Sequence, residues 1–251
     1  SGTPVATGRL ADAADLVART DRSTMVTLPS PGYLTALAAG TTPDAEAAAA
    51  LARIVRAEIL ALAADGVPYV LVRNPALGML LHRTGRARAA GLGLDADALS
   101  AAMITADNAA VAAVAGAEGV PEHFRVGLDV TTAGVAEGAY DEDAVKRFLD
   151  TQAYRRICVE FPAETDDRFP LTHIPEGVVV SLGLVDITTP VLEDVDDLVS
   201  RVDEATEDLD IDDIALSTNG GFHAVPACAE YQFDKLRLVE TTARYFWGNE
   251  L

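Results

Sequence analysis

The sequence predicts an α/β protein built on a mostly parallel sheet. Apolar, β-branched runs of four to eight residues recur along the 251-residue chain, and Ala- and Leu-rich segments with helical period separate most of them. Polar groups gather where the runs end. Strands alternating with helices read as βαβ units, whose parallel sheet is covered on both faces.

Taken in order, MVTL (25–28) is the first run. The segment DAEAAAALARIVRAEILALAADG (44–66) has helical spacing and leads to YVLV (69–72), which ends on Arg73-Asn74-Pro75. A second helical segment, DADALSAAMITADNAAVAAVAGAEG (95–119), precedes FRVGLDV (124–130), which carries Asp129 and runs into Thr131-Thr132. RICVEF (156–161) carries Glu160. VVVSLGL (178–184) is nearly continuous in its apolarity, as a strand covered on both faces would be, and reaches Asp186. In the acidic stretch 193–213, Val195, Leu198, Val199, Val202 and Leu209 recur at helical spacing with acids between them, the pattern of a solvated helix face. IALS (214–217) then runs into Thr218-Asn219-Gly220 and the segment STNGGFHAVP.

At 26.3 kDa the chain is long enough for a full hydrophobic core, and one domain over 1–251 is expected. No run approaches the length of a membrane span, and SGTPVATGRL has no basic start followed by an apolar stretch, so a cytoplasmic protein is expected. The net charge of −20 repels a phosphate backbone, which argues against nucleic acid as a partner. Cys158 and Cys228 stand in no Cys-x-x-Cys or Cys/His cluster and read as ordinary buried thiols.

In parallel α/β folds the carboxyl ends of the strands converge on one rim, where ligands bind. Five runs here would aim Arg73 and Asn74, Asp129 and Thr131, Glu160, Asp186, and Asn219 at one place. Each has a plainer alternative. Asn74 before proline is a turn residue, Asp186 a helix cap, Glu160 a partner for Arg155 or Arg156, and Arg73 a neutraliser of a nearby carboxylate.

The stretches TLPSPGYLTAL (27–37), ADGVPYVLVRNP (64–75), VVSLGLVDITTPVLEDVDDLVSRVDEA (179–205), IALSTNGGF (214–222) and KLRLVETTARYFWG (235–248) resemble the catalytic barrel of cobalamin-independent methionine synthase and its relatives. The resemblance implies a TIM-type (β/α)8 barrel whose rim holds a zinc ion that turns a thiol into a thiolate for methyl or alkyl transfer. It further implies zinc ligands at the positions of Asp129 and Thr131, Glu160, and Gly220. Only Glu160 matches the family pattern. An aspartate, a glutamate and a threonine form a hard-oxygen set, so zinc is not expected and magnesium is the ion such a set would suit.

Where relatives carry an acid for a substrate ammonium, this chain has Arg73, which favours a carboxylate, phosphate or sulfonate. His223, three residues past Gly220, has the pKa range of an acid–base group. The two first strands of the family barrel are not evident before VATGRL, which leaves about six of eight. A partner chain, an N-terminal fragment or a homo-oligomer is expected to complete it.

The function expected is a barrel enzyme acting on a small anionic substrate by alkyl or methyl transfer without zinc. In that scheme Asp129, Glu160 and His223 are catalytic, while Arg73, Asn74, Ser30, Asp186, Asn219 and Thr131 bind substrate. The alternatives are a non-catalytic scaffold subunit beside a zinc-bearing paralogue and a magnesium-dependent or metal-free lyase.

Overall fold

A computed structural model describes residues 10–39, 44–136, 138–222 and 229–248. The chain begins with α1 (Leu10–Ala18), β1 (Met25–Pro29), α2 (Pro31–Ala39) and α3 (Ala45–Ala64). It continues through β2 (Tyr69–Arg73), α4 (Pro75–Leu81), α5 (Arg83–Gly91), α6 (Ala96–Val111), β3 (Arg125–Asp129) and α7 (Glu142–Thr151). β4 (Arg156–Glu160), β5 (Val179–Val185), α8 (Val195–Ala205), β6 (Ile214–Thr218) and α9 (Ala229–Trp247) complete it. The strands coincide with the six apolar runs.

All six pair in parallel and in chain order, β1-β2-β3-β4-β5-β6. Successive side chains on a strand point to opposite faces, so each strand serves two environments. One set packs with the helices into a single apolar core that includes Val70, Val72, Leu128, Ile157, Val159, Val180 and Leu182. The other set lines a hollow that touches both β1 and β6, so the sheet curls until its first and last strands face a common space. The fold is a six-stranded, partly closed version of a (β/α) barrel.

The helices start where the sequence supplies caps. Asp44, Asp95, Asp141 and Asp194 each accept a backbone N–H in the first turn of α3, α6, α7 and α8. α8 buries Leu198, Val199 and Val202 and turns its acids outward, but it ends at Ala205, so Leu209 lies beyond it. Among the described residues no helix is long and apolar enough to cross a membrane.

The ladder continues one residue past several strands. Ser30 N donates to Arg73 O at 2.9 Å, Asn74 N to Asp129 O at 2.8 Å, Val130 N to Cys158 O at 3.1 Å, Phe161 N to Gly183 O at 3.2 Å and Asn219 N to Val185 O at 2.9 Å. These bonds fix the first residue of five of the six rim loops against a neighbouring strand. The rim is therefore set by sheet register.

Candidate functional site

Among the described residues, two adjoining cavities at the carboxyl rim divide the expected site residues. The larger, about 460 Å³, is lined by Glu160, Asp186 and Asn219 from the ends of β4, β5 and β6, together with Glu164, Asp167 and Glu193 from the segments that follow and Arg201 from α8. The smaller, about 310 Å³, lies in the hollow of the sheet and is lined by Arg73, Asp129, Cys158, Ser217, Gly220 and Phe222 among others. Asn219 faces the first and Gly220 the second, so the end of β6 separates them.

In the smaller cavity Arg73 and Asp129 are cross-strand partners in the β2–β3 register, which brings Arg73 Nε to 2.8 Å from Asp129 Oδ2. That approach is a charge contact out of line for a hydrogen bond. The other oxygen, Oδ1, accepts Thr131 N at 2.8 Å and Thr131 Oγ1 at 2.6 Å. Both charges are largely sequestered, and as a unit they are neutral. Arg73 thus does neutralise a carboxylate, the plainer of its two readings, and Thr131 is occupied in positioning Asp129. Cys158 beneath them is buried, and burial together with the Asp129 charge pushes its thiol up, so it stays protonated and is a poor nucleophile.

The larger cavity surrounds its carboxylates with uncharged donors. Glu160, buried at 6% exposure, receives Thr132 N at 2.9 Å, Thr132 Oγ1 at 3.1 Å and Gly134 N at 3.0 Å, all on Oε1. Thr132 Oγ1 also lies 3.3 Å from Oε2. Neither Arg155 nor Arg156 pairs with it among the described residues. Asp186 accepts Thr188 N at 2.9 Å, Thr188 Oγ1 at 2.9 Å and Asn219 Nδ2 at 3.0 Å, while Asn219 Oδ1 accepts Ile187 N at 3.0 Å. Asp186 is therefore a loop organiser and not a helix cap, the cap of α8 being Asp194.

Two expected binding residues lie elsewhere. Asn74 caps α4, accepting Leu77 N at 2.9 Å, and donates from Nδ2 to Asp107 Oδ2 at 2.7 Å. Ser30 accepts Tyr33 N at 2.9 Å, and its hydroxyl also bonds to Asp107, whose Oδ1 accepts Gly32 N at 2.8 Å. Ser30, Asn74 and Asp107 are all buried and line neither cavity. Burial pushes Asp107 up to about 6 against the hydrogen bonds from Asn74, Gly32 and Ser30. His223 and Cys228 lie outside the described residues.

Sequence reading missed Asp107, Arg201, Glu193 and Lys235. Asp107 had a signal: it occupies an apolar-face position of α6, in step with Met103, Ile104 and Ala110. Arg201 donates from Nη1 to Phe161 O at 3.0 Å, and burial lowers its pKa from the ordinary value. Lys235 is fully buried and reaches Glu193 Oε2 at 2.8 Å, while Glu193 Oε1 accepts Asp186 N at 2.6 Å. α9 thereby holds the loop that carries Asp186. Nothing local in the sequence marks that relay.

The donor set does not fit the zinc implied by the resemblance. Among the described residues no three His, Cys, Asp or Glu side chains are grouped closely enough to hold a metal ion. Asp129 pairs across the sheet with Cys158, two residues before Glu160 on the same strand, so the two carboxylates stand at different levels of the sheet. A Cβ added at Gly220 would sit 2.8 Å from Ala133 Cβ, closer than packed carbons approach. The close contact explains the glycine just past β6: this position has no room for a side chain.

No protein-family model matches the sequence, and no curated protein does. Solved structures of the same fold exist. A protein from Listeria monocytogenes described as a candidate vitamin-B12-independent methionine synthase aligns with a TM-score of 0.71 at 22% identity, over 96% of this chain and 70% of that one. A B12-independent methionine synthase from Shewanella sp. W3-18-1, in complex with selenomethionine, aligns with a TM-score of 0.70 at 16% identity, over 96% of this chain and 67% of that one. The chain shares the fold of methionine-synthase-like barrel proteins.

Proposed function

We propose that this chain is a group-transfer enzyme for a small polar substrate, working at the carboxyl rim of a methionine-synthase-like barrel without a thiolate-bound zinc. One observation carries the reading: Glu160, Asp186 and Asn219, from the ends of three successive strands, line one cavity of about 460 Å³. In this reading Glu160 is the proton acceptor, and Asp186 with Asn219 orients the substrate through the loop they share. Arg73 in the adjoining cavity is the anchor for an anionic group. A guanidinium carries five N–H donors and can serve a second anion beside Asp129. His223 keeps its candidacy as acid or base on sequence grounds alone.

The test is a transfer assay with alkyl donors and a panel of thiol acceptors, with and without a carboxylate, read as loss of free thiol. Glu160→Gln is expected to lower turnover by about 10²-fold or more, the range for removal of a general base. Arg73→Met is expected to erase any preference for carboxylate-bearing acceptors. Wild-type turnover that neither substitution alters would sink the assignment.

A second reading has its own support. β1 and β6 each carry one unpaired edge among the described residues, and Met25 on β1 is 49% exposed on the face that lines the hollow. Parallel strands with open edges readily accept another strand. A partner polypeptide that completes the sheet, in an assembly where this chain serves as scaffold, fits those edges. Native mass spectrometry separates the readings: a stoichiometric protein partner together with an inactive isolated chain favours the scaffold.

A further inference from the structure

The turn that follows β3 makes two left-handed residues in a row, Ala133 at φ 55° and Gly134 at φ 70°. The second is unremarkable for glycine, but the first is a strained choice for alanine. Its effect is to turn the N–H groups of Thr132 and Gly134 toward one point, the concave arrangement of backbone amides that binds anions. Glu160 Oε1 occupies that point, at 2.9 Å and 3.0 Å, with the Thr132 hydroxyl as third donor. Ala133 N donates to Asn219 O at 3.1 Å, which ties the turn to the end of β6.

We infer that the Thr132–Gly134 turn is a built-in substitute for a cation, its two amides and one hydroxyl occupying Glu160 Oε1 at the position where the resemblance implies a metal ligand. Two observations converge on the same three residues. A metal bound to Oε1 would have to lie within about 2.2 Å of it, against three hydrogens that already point there. The side chain needed at position 220 to add a sulfur ligand would collide with Ala133 Cβ. The turn that supplies the donors is also the turn that removes the room. The inference concerns the donors on Glu160 and the exclusion of metal there, and stands apart from the reaction proposed above.

The experiment compares wild-type protein with Glu160→Gln by calorimetric titration of zinc chloride and magnesium chloride after chelator treatment, and by amide hydrogen exchange. The two metal isotherms are expected to superpose. A one-equivalent component present in wild type and absent from Glu160→Gln overturns the inference. Gly134 is exposed, so its amide in wild type is expected to exchange slowly only because the carboxylate holds it, and on the order of tenfold faster in Glu160→Gln. Should that variant fail to fold, wild type alone decides: a Gly134 amide exchanging at the unprotected rate refutes the idea. Gly220→Cys is expected to gain no zinc, and tight zinc binding by that variant also overturns the inference.

Discussion

The two rim cavities treat a carboxylate in opposite ways. In the smaller one Asp129 is matched by a guanidinium from the neighbouring strand, and the pair is neutral. In the larger one Glu160 and Asp186 are matched by backbone N–H groups, threonine hydroxyls and an asparagine amide, none of which carries a formal charge. Dipolar donors stabilise an ion without cancelling it. The lining of the larger cavity also carries Glu164 and Asp167 beside Arg201, while its Glu193 is paired with Lys235. The same kind of side chain thus meets a formal countercharge in one cavity and only uncharged donors in the other.

The largest expected effect comes from breaking the neutral pair. Arg73→Met alone leaves Asp129 as a buried charge with its partner gone and is expected to destabilise the fold by about 3–5 kcal/mol. Adding Asp129→Asn, which keeps an acceptor for Thr131, should recover most of that in chemical denaturation. Failure of the second substitution to recover stability would mean that the pair does not neutralise itself as described.

A smaller effect tests a third carboxylate, Asp107, which belongs to neither cavity. Burial raises it to about 6 from an ordinary value of 3.8, so the folded state holds the proton more tightly than the unfolded chain. Its contribution to stability is complete below about pH 4 and is lost as pH rises through 6. The span corresponds to at most about 3 kcal/mol. Denaturation curves at several pH values should show wild type losing ground relative to Asp107→Asn across that window, and a parallel pair of profiles would count against a strained ionised Asp107.

The smallest effect sharpens the comparison at the larger cavity. Ala133→Gly keeps the amide arrangement and removes the left-handed strain, at the loss of one buried methyl, and is expected to stabilise the protein by about 1 kcal/mol. A destabilised variant would show that Ala133 packing against Gly220 outweighs backbone strain.

Much of this molecule is local in origin. The six strands, the aspartate caps and the positions of the polar residues at strand ends follow from hydrophobic periodicity and short-range capping, which are properties of neighbouring residues. Glu160, Asp186 and Asn219 were accordingly legible as rim residues, and Arg73 and Asp129 as strand-end charges. Ser30 and Asn74 read as ligand-binding groups for the same reason, since they too follow strands, yet both side chains turn back into the helix layer to meet Asp107.

Only the folded chain decided how those residues divide. Register places Asp129 beside Arg73 and level with Cys158, and two residues of offset along a strand are enough to move a carboxylate from one cavity to the next. Two of the three donors on Glu160 are backbone N–H groups, whose direction depends on φ at Ala133 and Gly134 and has no signature in residue type. Lys235 meets Glu193 across 42 residues of sequence, and that contact exists because α9 packs where the sheet's curl puts it. Periodicity is written in neighbours along the chain, whereas the partner of a buried charge is chosen by what the sheet brings alongside it.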